Sequence, residues 1–155
     1  MTATPRRCKD CPPGARRRPA PYPGPRCATH QRERTRATRE AARERHVQRT
    51  YGLSPAEYDA LYRAQGGTCF ICRRARGTGA RRLSVDHDHG CCPGPVSCGG
   101  CVRGLLCRSC NRDVLGHLRD DVDALLRAVD YLTDPPAGRV LTSNNRAEGA
   151  VRTTM

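Results

Sequence analysis

Residues Leu83 to Gly90 read LSVDHDHG, a short β-like run that ends in two aspartates and two histidines in alternation. On an unbroken strand, Val85, His87 and His89 would share one face and Ser84, Asp86 and Asp88 the other, because successive side chains alternate. The polar groups could not then converge. A strand that ends near Asp86 and turns, with Gly90 supporting the turn, brings one Asp and one His into a common cleft instead. The flanking sequence separates these two readings.

On either side stand the paired cysteines Cys69-x-x-Cys72 and Cys107-x-x-Cys110. Four thiolates on two tight turns suit one tetrahedral zinc ion, and a closed site of that kind carries no chemistry. Its work is to tie the chain before the first β-run to the chain after the second, CVRGLLC. Asn111 follows Cys110 directly, so the zinc would hold it at the start of the helix-like CNRDVLGHL. A carboxylate (Asp86) and an amide oxygen (Asn111) make a sparse hard-oxygen site suited to Mg2+ that keeps waters and takes a phosphate oxygen. Neutral His87 beside it can take a proton from an attacking water. The chemistry these residues fit is phosphodiester hydrolysis.

The rest of the chain agrees with a small metal-held domain that meets a polyanion. In 155 residues only 37% are hydrophobic, with one Phe and no Trp, which limits the core. Eleven cysteines are the alternative source of cohesion. The start, MTATPRRCKDCPPG, has no apolar leader, and no later run reaches membrane-span length. The reading is an intracellular, cytoplasmic protein whose cysteines bind zinc rather than form disulfides. A net charge of +13 points to nucleic acid. Of 28 basic residues only Lys9 is not Arg, a bias that suits phosphate contact but equally reflects a GC-rich genome.

Four segments are expected. Residues 1–30 form an arm in which Cys8, Cys11, Cys27 and His30 hold a second zinc as a Cys3His knuckle, the alternative being a basic arm with incidental thiols. Residues 31–50 form a basic helical linker with almost no apolar stripe, either solvated or laying Arg32, Arg34, Arg36, Arg39, Arg43 and Arg45 on phosphates. Residues 51–133 form the main domain. Residues 134–155 form a disordered tail.

Within the main domain, LSPAEYDALYRAQGG reads as a helix capped by Ser54 and Glu57, stapled by Leu53 to Tyr58 and stopped at Gly66 and Gly67. Val122, Leu125, Leu126, Val129 and Leu132 fall at helical spacing, and this helix is expected to pack on the core. Asp120 or Asp121 caps it, and Pro135-Pro136 terminates it. The loop GCCPGPVSCGGC offers Cys92, Cys98 and Cys101 to a third zinc, with Cys91 an awkward co-ligand beside Cys92. Redox-sensitive or idle thiols are the alternative there.

The segments YGLSPAEYDALYRAQGGTCFIC, LSVDHDHG and VRGLLCRSCN resemble the phage recombination endonuclease VII family, a branch of the HNH (ββα-metal) nucleases. The likeness runs from about Tyr51 to Leu132. It implies a small zinc-stabilised α+β domain in which a ββα-metal motif is flanked by helices. It implies a Mg2+-dependent DNA endonuclease, with branched or recombination DNA as substrate and a homodimer as the working unit. Asp86 and Asn111 match the family's catalytic-metal ligands, His87 its general base, His89 an auxiliary histidine, and Cys69, Cys72, Cys107 and Cys110 its structural zinc ligands.

Two departures stand out. The prototype's catalytic carboxylate three residues after the Asn is Val114 here, which leaves Asp113 as a candidate substitute. The prototype's long helical C-terminal part, which builds an intertwined dimer, has no full counterpart after Asn111. The competing reading is a non-enzymatic zinc protein that binds DNA, as a regulator or packaging accessory.

Overall fold

The computed structural model describes residues 7–13, 18–20, 24–78, 81–138, 140 and 141. Two helices come first, α1 (Ala28–Tyr51) and α2 (Pro55–Ala64). The strands β1 (Ser84–His87) and β2 (Val102–Leu106) follow, then a π-helix, Ser109–Gly116, and α3 (Val122–Thr133). The fold is a small α+β arrangement on a two-stranded antiparallel sheet. No helix among the described residues is long and apolar enough to cross a membrane.

Local sequence explains the helix boundaries. Ser54 and Glu57 form the expected capping box, with Pro55 opening α2 behind it. Helix α1 is almost wholly polar, and only Val47 and Thr50, near its C-terminal end, are buried. It ends on Gly52 at φ +68°, a left-handed position that favours glycine. The helix is continuous through residues 30 and 50, so the arm and the main domain share one rigid element. Asp121, rather than Asp120, caps α3: its carboxylate accepts from the N–H groups of Asp123 (2.8 Å) and Ala124 (3.1 Å).

The core lies where α1, α2 and the sheet meet. It consists of Val47, Tyr58, Leu83, Val85, Leu105 and Leu106, together with the zinc-ligand candidates Cys69 and Cys110. Tyr58 donates its hydroxyl to Leu83 O (2.9 Å), and Arg43 stacks on the Tyr58 ring at 4.5 Å. Buried Gln65 behaves like a strand neighbour of β2. Its amide donates to Leu105 O (2.8 Å) and accepts from Leu105 N–H (2.7 Å), satisfying a backbone edge that the two-stranded sheet leaves unpaired. Gly104 makes room for this, since a Cβ there would lie 2.9 Å from Gln65 Oε1.

Two expectations are corrected. The apolar stripe of α3 does not pack on the core: Leu126 is 57% and Leu132 79% exposed, and the helix contains no buried residue. A sheet of two short strands offers one small inner face, and α1 and α2 already fill it. Arg43 is likewise withdrawn from the phosphate-facing set, held between Tyr58, Glu40 and Leu83 O. As for the tail, α3 ends before Pro135-Pro136 as expected. Residues 136–138 then form a helical turn, with Gly138 N–H donating to Pro135 O (3.0 Å). Residues 139 and 142–155 of the expected disordered tail lie outside the described residues.

Candidate active site and metal centres

Strands β1 and β2 pair in register from Ser84↔Leu106 to Asp86↔Gly104, and then slip, with His87 opposite Val102. Arg103 is therefore the extra residue of a β-bulge facing the Asp86–His87 step. A bulge bends and re-aims a strand. Here both Asp86 and His87 are buried, each 5% exposed, although plain alternation would send them to opposite faces.

Asp86, His89 and Asn111 line one cleft, together with Arg119 and Asp120. Asn111 reaches it because its N–H donates to Cys107 O (2.9 Å) at the start of the π-helix, directly after the second cysteine pair. In the turn that follows the π-helix, Asp120 N–H donates to Leu115 O (3.0 Å). Wide turns of this kind recur at functional sites. Arg119 (φ +54°) and Asp120 (φ +58°) are both left-handed, a strained conformation that delivers both side chains to the cleft.

His87 is not among the residues lining this cleft, but it neighbours two that are, Asp86 along the strand and His89 through their rings. Its ring lies 4.5 Å from that of His89 and 5.8 Å from that of Tyr51. Its Nε2 is 3.2 Å from both Cys92 O and Gly94 O. A carbonyl oxygen only accepts, so Nε2 carries the proton, and in the neutral ring the lone pair is left on Nδ1. That is the tautomer a base needs.

Sequence reasoning does not single out Arg103, yet this residue holds Asp86 with two bonds, Nε to Oδ2 (2.8 Å) and Nη2 to Oδ1 (3.2 Å). Its Nη2 also donates to Asp120 (2.9 Å). These hydrogen bonds, that to Asp86 foremost, raise the guanidinium above its already high range. The signal that could have found it is an arginine inside an otherwise apolar β-run, VRGLL. Asp120 reads in the sequence only as a helix cap. Asp113, the candidate replacement for the missing carboxylate, is exposed and bound to Arg112 (2.7 Å), whose hydrogen bond lowers its pKa. It is not among the residues lining the cleft.

Three cysteine groups converge, each with its four ligand atoms within 4.8 Å of one another: Cys8/Cys11/Cys27/His30, Cys69/Cys72/Cys107/Cys110 and Cys91/Cys92/Cys98/Cys101. Zn–S bonds of about 2.3 Å in a tetrahedron set sulfurs about 3.8 Å apart. Cys72 and Cys107 are 3.9 Å apart. In the knuckle, His30 Nδ1 lies 3.2, 3.7 and 3.4 Å from Cys8, Cys11 and Cys27, while Glu33 stands 4.0 Å from Nε2 as an outer carboxylate. All of these cysteines are free thiols.

Crowded thiols polarise one another. Backbone N–H groups of Ala75 and Arg74 lower Cys72 to about 6, while burial and then contact with Cys107 push Cys110 up to about 12. A divalent soft-to-borderline ion suits such a set, since it replaces the shared protons.

The sequence model described as recombination endonuclease VII matches residues 44–134. The chain is 48% identical over 136 residues to the "Gene 59 protein" of Mycobacterium phage D29, across 86% of this chain and 77% of that protein. It is 46% identical to the "Gene 59 protein" of Mycobacterium phage L5, over the same shares. No solved structure matches the chain.

Proposed function

The chain belongs to the recombination endonuclease VII family, and on that premise we propose that it is a Mg2+-dependent DNA endonuclease of the HNH class, with branched or recombination DNA as its preferred substrate. The observation that carries this reading is the cleft shared by Asp86, His89 and Asn111, with His87 next to Asp86 and His89 and its Nε2 on two backbone carbonyls. In this reading β1, β2 and the π-helix are the ββα-metal motif.

Asp86 and Asn111 offer the hard oxygens that would hold Mg2+, and the buried carboxylate beside an amide suits an ion that keeps several waters. When bound, Mg2+ supplies charge stabilisation at the phosphate and the leaving oxygen. His87 takes a proton from water at Nδ1, while the carbonyls of Cys92 and Gly94 keep Nε2–H in place. His89 assists by orienting the site. Arg103 holds the Asp86 carboxylate in place with two hydrogen bonds, and the remaining lone pairs of its oxygens are the ones a cation would share. Cys69, Cys72, Cys107 and Cys110 hold structural zinc, as do Cys8, Cys11, Cys27 and His30. The reading places the protein in a reducing, cytoplasmic compartment. A homodimer would cover the exposed stripe of α3.

The test uses supercoiled plasmid and a four-way junction, each with and without Mg2+. Cleavage only with Mg2+, faster on the junction, is expected. DNA bound but never cut would instead favour the non-enzymatic zinc DNA-binding protein.

The segments 1–30, 31–50, 51–133 and 134–155 carry a division of labour in this reading, with the arm and α1 adding affinity and the main domain the chemistry. Arg32, Arg34, Arg36 and Arg39 are exposed along α1. Replacing all four by Gln should weaken DNA binding and lower the log–log salt slope by about 0.9 for each phosphate that is no longer neutralised, through counterion release. Fluorescence anisotropy at several salt concentrations measures this. An unchanged slope would make α1 a solvated linker.

A further inference from the structure

The loop between β1 and β2, residues 88–101, has no core of its own. Ser97 is its one buried residue, and Val96 is exposed. We propose that Cys91, Cys92, Cys98 and Cys101 bind a zinc ion, and that this ion fixes the loop carbonyls that set the tautomer of His87.

The sulfurs stand where a tetrahedral ion requires them. Cys91 and Cys98 are 3.9 Å apart, as are Cys91 and Cys92, against an edge of about 3.8 Å for a zinc–thiolate tetrahedron. Adjacency in sequence is no obstacle, because the two neighbouring side chains turn to the same point. Cys98 N–H donates to Cys92 Sγ (3.3 Å), and the Ser97 hydroxyl lies 3.1 Å from Cys101 Sγ, so the thiolates also have outer donors. All four ligands come from the protein, so the site is closed and structural. Cys91 thereby becomes a ligand rather than an idle thiol.

Two backbone hydrogen bonds anchor the loop. Ser97 N–H donates to Thr50 O (2.8 Å), and Asp88 N–H donates to Cys101 O (2.9 Å). A Cβ on Gly52 would lie 3.3 Å from Gly99 Cα, so the loop presses on the end of α1. Between these anchors, Cys92 and Gly94 present their carbonyls to His87 Nε2. One of the two belongs to a ligand residue, and the other lies two residues further on. A metal there orients the proposed base from behind, with the loop backbone as the outer partner of the imidazole. This second half rests on the role proposed for His87; the zinc site itself does not.

Three measurements test it, none involving DNA cleavage, so failure of the nuclease reading would leave all three intact. Cys91 and Cys98 are exposed, so burial does not shield them in reduced protein. In the full chain under reductant, both should resist iodoacetamide until a chelator is added, as read by peptide mass. Cys98→Ser should also lower the zinc content by one ion per chain. Rapid alkylation in the zinc-replete protein, or an unchanged zinc count in a folded Cys98→Ser chain, would overturn the site. Long-range 1H–15N spectra should show His87 with Nε2–H alone in the wild type and mixed tautomers in Cys98→Ser. A wild-type Nδ1–H signal, or one unaltered tautomer after the zinc is lost, would overturn the positioning role. Because alkylation and the wild-type tautomer need no variant, misfolding of Cys98→Ser would not shelter the proposal.

Discussion

Stripping zinc from the chain with a strong chelator is expected to unfold the domain, whereas removing Mg2+ should leave the fold untouched. Among the described residues, the buried apolar ones apart from cysteine are Val47, Tyr58, Leu83, Val85, Leu105 and Leu106, too few to order a domain of this length. Cys69 and Cys110 are themselves core residues, so losing the ion there leaves buried thiols in the middle of the apolar cluster. The Cys69/Cys72/Cys107/Cys110 site joins the turn before β1 to the turn after β2, and structural zinc sites contribute about 10–16 kcal/mol of apparent folding free energy near neutral pH. Protons compete with zinc for the thiolates, so this stabilisation is lost as pH falls. Helical circular dichroism should collapse together with zinc release to a chelating dye. A cooperative melt that survives complete zinc removal would show that packing alone holds the fold.

What is legible in the sequence is local or tied to local spacing. The Ser54–Glu57 capping box needs four consecutive residues, and it forms as expected. The two C-x-x-C pairs frame the sheet because each is a turn in itself. Their effect on Asn111 follows from its place next to Cys110. The stripe of α3 is equally legible as an amphipathic helix, but periodicity gives a face and not the surface it meets, and here it meets no core. Arg103 and Asp120 escape a reading of the sequence because Arg103 pairs with Asp86 and with Asp120 across 17 residues each way, at a bulge that alternation does not foresee. The partners of His87 are illegible for a different reason: they are backbone carbonyls, which every residue carries.

Those carbonyls shape the second expectation, that His87→Ala lowers DNA cleavage by a factor on the order of 10² or more, about 2.7 kcal/mol in the barrier. An imidazole takes a proton through its free ring nitrogen, which at His87 is Nδ1, since Nε2 is occupied by Cys92 O and Gly94 O. Alanine removes the proton acceptor outright and leaves those carbonyls to water. Zinc content and circular dichroism should stay close to wild type, because His87 belongs neither to the apolar core nor to a cysteine group. The rate is best read in single turnover at saturating DNA and Mg2+, where any change in binding cancels. His89→Ala, at a residue that lines the cleft without such a carbonyl clamp, should lose less. Equal losses at the two positions would mean that the histidines act as one orienting pair. A near-normal rate for His87→Ala would move the base to another group, with His89, which lines the same cleft as Asp86 and Asn111, the next to examine.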